Sequence, residues 1–455
     1  MPTATLDVTP ADVEAKETAV APAALGKLGW ILMLPLLFFA AHGQFSFQFS
    51  ATSTGGFSPG AVSANEPGLF GYALAAVTYC VITWLIMTRL RQVLSCALHF
   101  KMLSFLALLT VCSVLWSQSP MRSLLHGLFY FAGTLFAYYL VLRFGPSEIM
   151  TLILRLGVLS CFLGLIVIVF FPQFGMVHND LRNGIGWQGI FMDRTTAAKC
   201  LVFLLSPALI SRPGPWKLSR ALYVLLLGAM ILMAHSVGSI LVLSTYVVFL
   251  ACIRFGRKLD DKALLVCLSL GSVIVLSAAF AGIEYGPAIL KAFGRDPTLT
   301  GRTVIWGYLA RSILKRPLLG YGYYAFWLGL KGESGKIIYA LNWTFGYAHN
   351  GVLEVLLQLG FVGVLVFFMT LSKGLKDAWF CLRNDHTGRY DWYLGLLVLT
   401  IVYNIDEVTV VLPNDLLSIL YVVSCVGLAL AVRDIKQYQR ERRCMSDGGS
   451  LPLAG

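Results

Sequence analysis

The sequence predicts an all-α, polytopic membrane protein with about twelve transmembrane helices. Its 455 residues are 57% hydrophobic and only 13% charged, whereas a soluble protein carries about 25% charged residues. Windows of about 20 apolar residues, the length that a helix needs to cross a bilayer, recur along the chain. Most Lys and Arg residues lie between these windows, as expected of cytoplasmic loops.

Twelve apolar segments are predicted as spans. The seventh and eighth meet at the sequence AHSVGS, which leaves almost no loop between them. The ninth and tenth are separated by a long segment, 283–348, which is expected to lie outside the membrane. The predicted spans are 28–47, 68–88, 97–116, 124–142, 148–171, 194–211, 219–235, 238–254, 264–282, 349–370, 392–411 and 414–432.

The distribution of basic residues predicts the orientation. If the N-terminus is cytoplasmic, the short outer loops hold only Arg122, Arg182 and Arg194, and the inner loops and tails are basic. This asymmetry is expected of multi-pass membrane proteins and places both termini inside and the long loop on the outer side. The predicted divisions are a disordered cytoplasmic tail at 1–27, one transmembrane domain at 28–432 that includes the long outer loop 283–348, and a basic cytoplasmic tail at 433–455.

The composition also argues against several function classes. The net charge of +12 is accounted for by basic loops, so nucleic acid is not expected as a partner. The 10 Cys residues lie mostly inside apolar segments and contain no CxxC. They are interpreted as small buried hydrophobes. Neither a metal site nor a cofactor is predicted.

The long outer loop is cationic and contains a predicted amphipathic helix, "TVIWGYLARSILK" (303–315). One path along this helix carries polar residues that include Arg311, and the other carries Ile305, Leu309 and Ile313. This pattern is typical of a helix at the membrane interface. Arg302 lies at its N-terminal edge, where free N–H groups favour an anion. The alternatives for Arg302 are stacking on Trp306 and binding of lipid headgroups.

A polar stripe follows this loop. His349 stands where the loop enters the tenth span, and Asn350, Glu354 and Gln358 follow at i, i+4 and i+8 along one helix face. Polar groups inside a span usually face a cavity or a protein partner. His349 is a candidate base or hydrogen-bond donor, or an interfacial histidine without chemistry. Asn350 is equally well explained as an N-cap.

A second outer segment, 172–193, contributes further cations. Arg182 and Arg194 flank a re-entrant-looking stretch, and Lys199 lies about one turn inside the sixth span. Lys199 either extends outward to the headgroups or lines the same cavity as His349. The outer segments thus bring cations, a histidine and a stripe of amide and carboxylate groups to the same depth in the membrane. This combination suits a ligand that is anionic, multivalent and attached to the membrane. A polyprenyl diphosphate has these properties, and Arg binds its phosphate oxygens bidentately.

Several stretches resemble the O-antigen ligase/polymerase superfamily. They are "GRDPTLTGRTVIW" (294–306), "RPLLGYGYYAFW" (316–327) and "AHNGVLEVLLQLGFVG" (348–363). The stretches "WSQSPMRSLLHGLFYFAGTLFAYYLVLRF" (116–144) and "WQGIFMDRTTAAKC" (187–200) are most similar to the exopolysaccharide-production polymerase branch. The resemblance covers roughly residues 80 to 430.

The resemblance implies an inverting, metal-independent glycosyltransferase that acts on the outer face of the bacterial inner membrane. Its donor would be an undecaprenyl-diphosphate-linked oligosaccharide and its acceptor a second glycan, with membrane lipids and a chain-length regulator as partners. Arg302 would bind the diphosphate and His349 would activate the acceptor hydroxyl. Where the branch carries Arg after the Trp and His-Lys-Asn after the Phe, this chain has Gln188 and Asp193-Arg194-Thr195. Arg194 or Arg182 would then supply the second phosphate contact, unless Asp193 pairs with Arg194.

Three functions fit the sequence. The favoured one is a polymerase of oligosaccharide units. A ligase that transfers a finished glycan to lipid A-core or another acceptor shares the donor chemistry and is not separated from it by any residue. A polysaccharide or lipid-linked-sugar transporter is the alternative from a different class, but such proteins usually have repeated halves. No repeat is visible in this chain.

Overall fold

The computed structural model describes residues 27–40, 69–179, 184–210, 217–256, 263, 302–342, 345–385 and 387–446. Long apolar segments bounded by Pro, Gly and charged residues form helices there, as the absence of water from a bilayer requires. The helices are α1 (Lys27–Ala40), α2 (Leu69–Thr88), α3 (Leu90–His99), α4 (Lys101–Cys112), α5 (Pro120–Arg143), α6 (Pro146–Phe170), the single turn α7 (Pro172–Gly175), α8 (Arg194–Ile210), α9 (Lys217–Met233), α10 (Val237–Gly256), α11 (Arg302–Lys315), α12 (Gly332–Leu341), α13 (Gly351–Asn384), α14 (Asp391–Asp406) and α15 (Leu416–Ser446).

Eleven of the twelve predicted spans overlap a described helix. The ninth, 264–282, and residues 41–47 of the first lie outside the described residues. Five of the described helices are long and apolar enough to cross a membrane, or six if the pair α2 and α3, bent by 88°, counts as one span. The chain is therefore a multi-pass helical membrane protein. The total of twelve crossings remains a prediction.

Two helices form the centres of the bundle. α8 is buried on every face from Ala197 to Ala208 and packs against α6, α9, α10 and α14. The first turns of α15 are buried in the same way and pack against α5, α13 and α14. A helix that is apolar all round requires neighbours on all sides. α14 contacts both centres and joins the two halves of the bundle.

Helix α13 is broken at Gly360, whose φ of +64° lies in the left-handed region. The break frees backbone groups, which would be costly in a membrane unless other donors and acceptors replace them. The loop after α11 supplies them. The N–H of Tyr321 donates to the carbonyl of Leu357 over 2.8 Å, and the N–H of Phe361 donates to the carbonyl of Pro317 over 2.8 Å.

The same loop is held from the other side by the turn between α4 and α5. Gln118 donates through its side chain to the carbonyl of Ala325 over 2.6 Å. The indole of Trp116 donates to the carbonyl of Leu319 over 2.8 Å. The loop that leads towards His349 is therefore fixed between α4, α5 and α13.

Several features were not predicted. Strands β1 (Met176–Asn179) and β2 (Gly184–Trp187) form an antiparallel hairpin, so the fold is not entirely helical. The predicted inner loop after α2 contains the amphipathic α3, and the long outer loop contains α12 as well as the predicted amphipathic helix. The amphipathic helix itself is confirmed as α11, with Ile305, Leu309 and Ile313 buried. α15 continues through the predicted basic tail to Ser446.

The break in α13 can be tested by Gly360→Ala. A Cβ at this position would overlap the carbonyl of Leu318, and the left-handed conformation costs a non-glycine residue roughly 1–2 kcal/mol. We expect a lower thermal unfolding temperature, measured by intrinsic fluorescence of the purified protein in detergent.

The matched control is Gly307→Ala in α11, where a Cβ would meet open space. Alanine favours a helix over glycine by about 1 kcal/mol, so the control should unfold at the same or a higher temperature. Equal unfolding temperatures for both variants would contradict the proposed packing at Gly360.

Candidate functional site

Arg302 is the first residue of α11 and lies against two acidic residues at the end of α14. Its Nη1 donates to the backbone carbonyl of Asp406 over 2.9 Å and also contacts the Asp406 carboxylate. Its Nη2 lies 3.4 Å from Oε1 of Glu407. The Arg302 side chain is 20% exposed and that of Glu407 only 4%. Arg302 is thus held by carboxylates and does not stack on Trp306, whose indole donates to the carbonyl of Ala348.

His349 approaches the same carboxylate from the turn before α13. Its Nδ1 is buried and lies 3.5 Å from Oε1 of Glu407, the oxygen that Arg302 contacts. This separation is long for a hydrogen bond and fits an electrostatic contact. His349 has a φ of +50°, an uncommon conformation for a residue other than glycine. Since Nδ1 faces Glu407, Nε2 is the nitrogen left for a substrate.

Lys199 completes the surroundings of Glu407. It is buried in α8, donates from Nζ to the carbonyl of Val408 over 3.1 Å and lies 3.8 Å from Oε2 of Glu407. Of the two alternatives for Lys199, the structure therefore favours the lining of an interior site. We call Lys199, Arg302, His349, Asp406 and Glu407 the Glu407 cluster.

The position of Glu407 is fixed by the short loop that follows α14. Asn404 donates to Thr409 Oγ1 over 2.6 Å and accepts from the backbone N–H of Thr409 over 3.2 Å. Helix α13 approaches this asparagine so closely that a Cβ on Gly351 would overlap it. The pairing of Asn404 with Thr409 closes the backbone around Glu407, so the carboxylate has a defined direction.

Tyr347 lies beside the cluster. Its ring centroid is 4.0 Å from that of His349. Burial, and then the negative charge of Glu407, raise the pKa of Tyr347 well above its usual range. Tyr347 is therefore a neutral phenol, and a neutral phenol can donate a hydrogen bond to a carboxylate such as Glu407.

The first two residues of the polar stripe, Asn350 and Glu354, make hydrogen bonds within the protein. Asn350 caps α13 by accepting from the N–H of Leu353, and its amide donates to the carbonyl of Ile405, each over 3.0 Å. Glu354 is buried and accepts from the indole of Trp327 and from the N–H of Ala348, each over 2.8 Å. The side chains of Asn350 and Glu354 thus fix the turn that carries His349, and their predicted contact with substrate remains a prediction.

Glu354 also accepts from the amide of Gln358 over 2.6 Å. The carbonyl oxygen of Gln358 in turn accepts from the N–H of Tyr324 over 3.1 Å. The stripe thus connects the turn at His349 to the loop after α11, and it presents no free carboxylate to a ligand.

Of the two outer arginines Arg182 and Arg194, the structure describes Arg194. Arg194 begins α8, packs its side chain against Gly186 in β2 and has no ion pair within the described part of the chain. Asp193 does not pair with it. Its carboxylate caps α8 by accepting from the N–H groups of Thr195 and Thr196 over 2.8 and 2.9 Å. Arg182 lies outside the described residues.

Arg311, also predicted to bind substrate, is not brought into the cluster. It is exposed on α11, nine residues and therefore about 13 Å along the helix from Arg302. Its guanidinium lies 5.7 Å from the ring of Tyr308.

Three residues of the site were not predicted from the sequence: Asp406, Glu407 and Tyr347. The sequence "YNIDEV" (403–408) held a signal, because two adjacent carboxylates inside a predicted span are costly without partners.

Comparison with known proteins connects this geometry to a family. Residues 222–368 match the family described as O-antigen ligase. This segment of the chain is therefore similar to an O-antigen ligase domain. The matched segment of this domain includes Arg302 and His349, whereas Lys199 precedes it and Glu407 follows it. The predicted resemblance to the O-antigen ligase/polymerase superfamily is confirmed.

Individual proteins that are similar to this chain agree with this result. The exopolysaccharide production protein ExoQ of Rhizobium meliloti is 25% identical over 66% of this chain and 70% of its own length. A protein of Rickettsia conorii whose name proposes a polysaccharide ligase is 26% identical over 41% of this chain. One of Rickettsia felis with a similar name is 24% identical over 56% of this chain. The alignments span 46% and 62% of these two relatives.

Two substitutions at Asp193 can test whether this residue stabilises the protein by capping α8 or by its negative charge beside Arg194. Asparagine caps helices about as well as aspartate. We therefore expect Asp193→Asn to keep the thermal unfolding temperature of the purified protein. Asp193→Ala should lower the free energy of unfolding by about 1 kcal/mol. Equal losses in the two variants would show that the charge of Asp193, and not its cap, stabilises this region.

Proposed function

We propose that the protein is a glycosyltransferase that polymerises undecaprenyl-diphosphate-linked oligosaccharide units into an exopolysaccharide or O-antigen-like polymer. The observation that carries the proposal is the convergence of Arg302 and His349 on one oxygen of Glu407. An anion-binding guanidinium and a candidate base thus meet at one carboxylate, and these are the two groups that transfer of a sugar from a diphosphate would use.

Arg302 would bind the diphosphate of the donor. The Asp406 side chain is 43% exposed, and Glu407 is buried. An arriving diphosphate would therefore replace the Asp406 carboxylate on Arg302, while Glu407 stays in place. A guanidinium binds phosphate oxygens bidentately, and it stabilises the negative charge that develops on the leaving group.

His349 would act as the general base. The Glu407 carboxylate at Nδ1 favours the tautomer with the proton on Nδ1, which leaves Nε2 as an acceptor. Nε2 takes the proton of the acceptor hydroxyl as that oxygen attacks the anomeric carbon from the face opposite the diphosphate. The bond to the diphosphate breaks, the configuration inverts, and the lipid diphosphate leaves. Glu407 stabilises the imidazolium that forms.

Arg194 is the candidate for a second phosphate contact. Its guanidinium has no partner within the described part of the chain. The neighbouring Asp193 is close enough to Tyr347 and Lys199 to interact with them electrostatically. Arg182 remains the alternative predicted from the sequence. Neither proposed phosphate contact requires a metal ion, so we expect transfer to continue in the presence of a chelator.

The proposed location is the bacterial inner membrane, with both termini cytoplasmic and the Glu407 cluster on the periplasmic side. In support, the segments predicted as outer loops meet at one end of the bundle. The hairpin at Gly186 approaches the turn between α9 and α10 at Ala234, and Gly238 in the first turn of α10 lies against Asp406. Among the described residues of the predicted inner loops, Arg143 lies at the opposite end of α5 and Arg389 between the opposite ends of α13 and α14.

A ligase is the second candidate, because the family description and the names of the Rickettsia relatives refer to ligases. The similarity to ExoQ favours a role in exopolysaccharide production. The lipid-linked products of a deletion strain distinguish the two candidates. Accumulation of single repeat units indicates a lost polymerase, and accumulation of long lipid-linked chains indicates a lost ligase.

Transport is a weaker alternative. Transporters often contain broken helices that line a binding site, and α13 is broken at Gly360. The freed backbone groups of α13 are occupied by the loop at 317–322, so they offer nothing to a substrate. A deletion strain of a transporter would retain its lipid-linked donor on the cytoplasmic side, where a membrane-impermeant probe does not label it.

Arg302→Ala and His349→Ala should each reduce polymer formation by about a hundredfold or more, since oxyanion stabilisation and general-base catalysis each contribute on that scale. Polymer is measured by gel analysis of the complemented deletion strain, with the amount of protein in the membrane measured in parallel. Lys336→Ala, an exposed cation of the same outer loop that pairs with Glu333, is the matched control and should remain active. Normal polymer from either cluster variant would refute the proposed roles.

Glu407→Gln should lower the transfer rate while changing the KM for the lipid-linked donor much less. The amide keeps the size of the side chain, but it no longer fixes the tautomer of His349. Purified protein with a labelled donor gives both constants. Glu407→Asp retains the charge at a shorter reach and should recover part of the rate. If Glu407→Gln changed only KM, Glu407 would belong to donor binding and not to the positioning of His349.

A further inference from the structure

Helices α9 and α10 enclose a groove at the end of the bundle opposite the Glu407 cluster. They are joined by a tight turn at 234–236, but α9 packs mainly on α8, and α10 packs on α8 and α14. They therefore separate towards the other end, and the end of α8 forms the floor between them. The resulting surface cavity has a volume of about 530 Å³. Its lining residues are Ala208, Leu209, Arg220, Ala221, Val224, Leu225 and Arg254.

Two arginines face this groove. Arg254 donates from Nη2 to the carbonyl of Leu209 over 3.1 Å, which places its guanidinium at the C-terminal end of α8. Arg220 projects from α9 and is close enough to Arg254 for the two like charges to repel each other. Neither contacts a carboxylate in the portion of the chain that the structure describes. Two positive charges without a counter-charge among the described residues, at one end of an apolar groove, favour the binding of an anion.

The depth of the groove identifies the compartment of its ligand. α10 begins beside the Glu407 cluster, where Gly238 lies against Asp406. Sixteen residues later it reaches Arg254, a rise of about 24 Å along the helix. The hydrocarbon core of a bilayer is about 30 Å thick. The two arginines therefore lie near the opposite headgroup layer, which is cytoplasmic in the proposed orientation.

The surroundings of the groove are apolar and face lipid. Leu218, Leu222 and Leu225 of α9 are 84%, 60% and 69% exposed, which in a transmembrane helix is the surface that contacts acyl chains. A ligand that enters from this side has both a long apolar part and an anionic head. A soluble anion would use only the arginines and leave the walls uncovered.

We propose that this groove binds an anionic glycerophospholipid, with its phosphate between Arg220 and Arg254 and one acyl chain along Ala221, Val224 and Leu225. Basic pockets between transmembrane helices on the cytoplasmic side are suited to such headgroups. This site is separate from the Glu407 cluster and does not depend on the reaction proposed there. The bound lipid would fill the space between α9 and α10 and stabilise the bundle at this end.

The test uses the full-length protein, purified and delipidated in detergent, with its thermal unfolding temperature followed during lipid titration. Phosphatidylglycerol should raise the unfolding temperature, whereas phosphatidylcholine and inorganic phosphate should raise it much less. The double variant Arg220→Gln with Arg254→Gln should bind phosphatidylglycerol roughly tenfold more weakly or worse, since charge-assisted contacts are lost.

Lys376→Gln with Arg440→Gln is the matched control, because it removes two exposed positive charges near the same end of the bundle but outside the groove. It should bind phosphatidylglycerol as the wild type does. The proposal is overturned if phosphatidylcholine stabilises equally, if the groove variant binds normally, or if the control loses as much affinity. If the double variant does not fold, Arg220→Gln alone must show the same direction of change.

Discussion

The carboxylate of Glu407 is the charge on which the arrangement of the site depends. It is buried, and a buried carboxylate is unfavourable unless cations and donors surround it. α8 supplies Lys199, the start of α11 supplies Arg302, and the turn before α13 supplies His349. Loss of one partner from a buried ionic group typically costs about 3–5 kcal/mol, so these distant segments are held together by a shared electrostatic requirement.

The surrounding polar groups explain why this cluster is rigid. Asn404 fixes the loop of Glu407, Asn350 links the start of α13 to the end of α14, and Glu354 holds the backbone beside His349. The hydrogen bonds of Asn404 and Glu354 are buried, where water cannot replace them, whereas that of Asn350 is exposed. Such support holds the guanidinium of Arg302 and the imidazole of His349 beside the same carboxylate. Asn350 and Glu354, which the sequence pattern suggested as substrate-binding residues, therefore have structural roles.

The two ends of the bundle differ in how their charges are balanced. At the end with the Glu407 cluster, Asp406 and Glu407 compensate Arg302 and Lys199, and in the proposed reaction a phosphate would exchange with the Asp406 carboxylate. At the other end, Arg220 and Arg254 face an apolar groove without a described carboxylate. The first arrangement suits transient binding of a substrate, and the second suits a resident lipid.

The sequence by itself determined the helical membrane class, the positions of most helices, the amphipathic α11 and the candidates Arg302 and His349. These depend on apolar length, on 3.6-residue periodicity and on local motifs, which a single segment contains. The tertiary structure alone decided that Glu407 joins them, that Lys199 points inward, and that Glu354 and Arg311 lie outside the cluster. It also revealed the break at Gly360. These features depend on contacts between residues far apart in the chain, and no local pattern specifies which distant charge a buried side chain will meet.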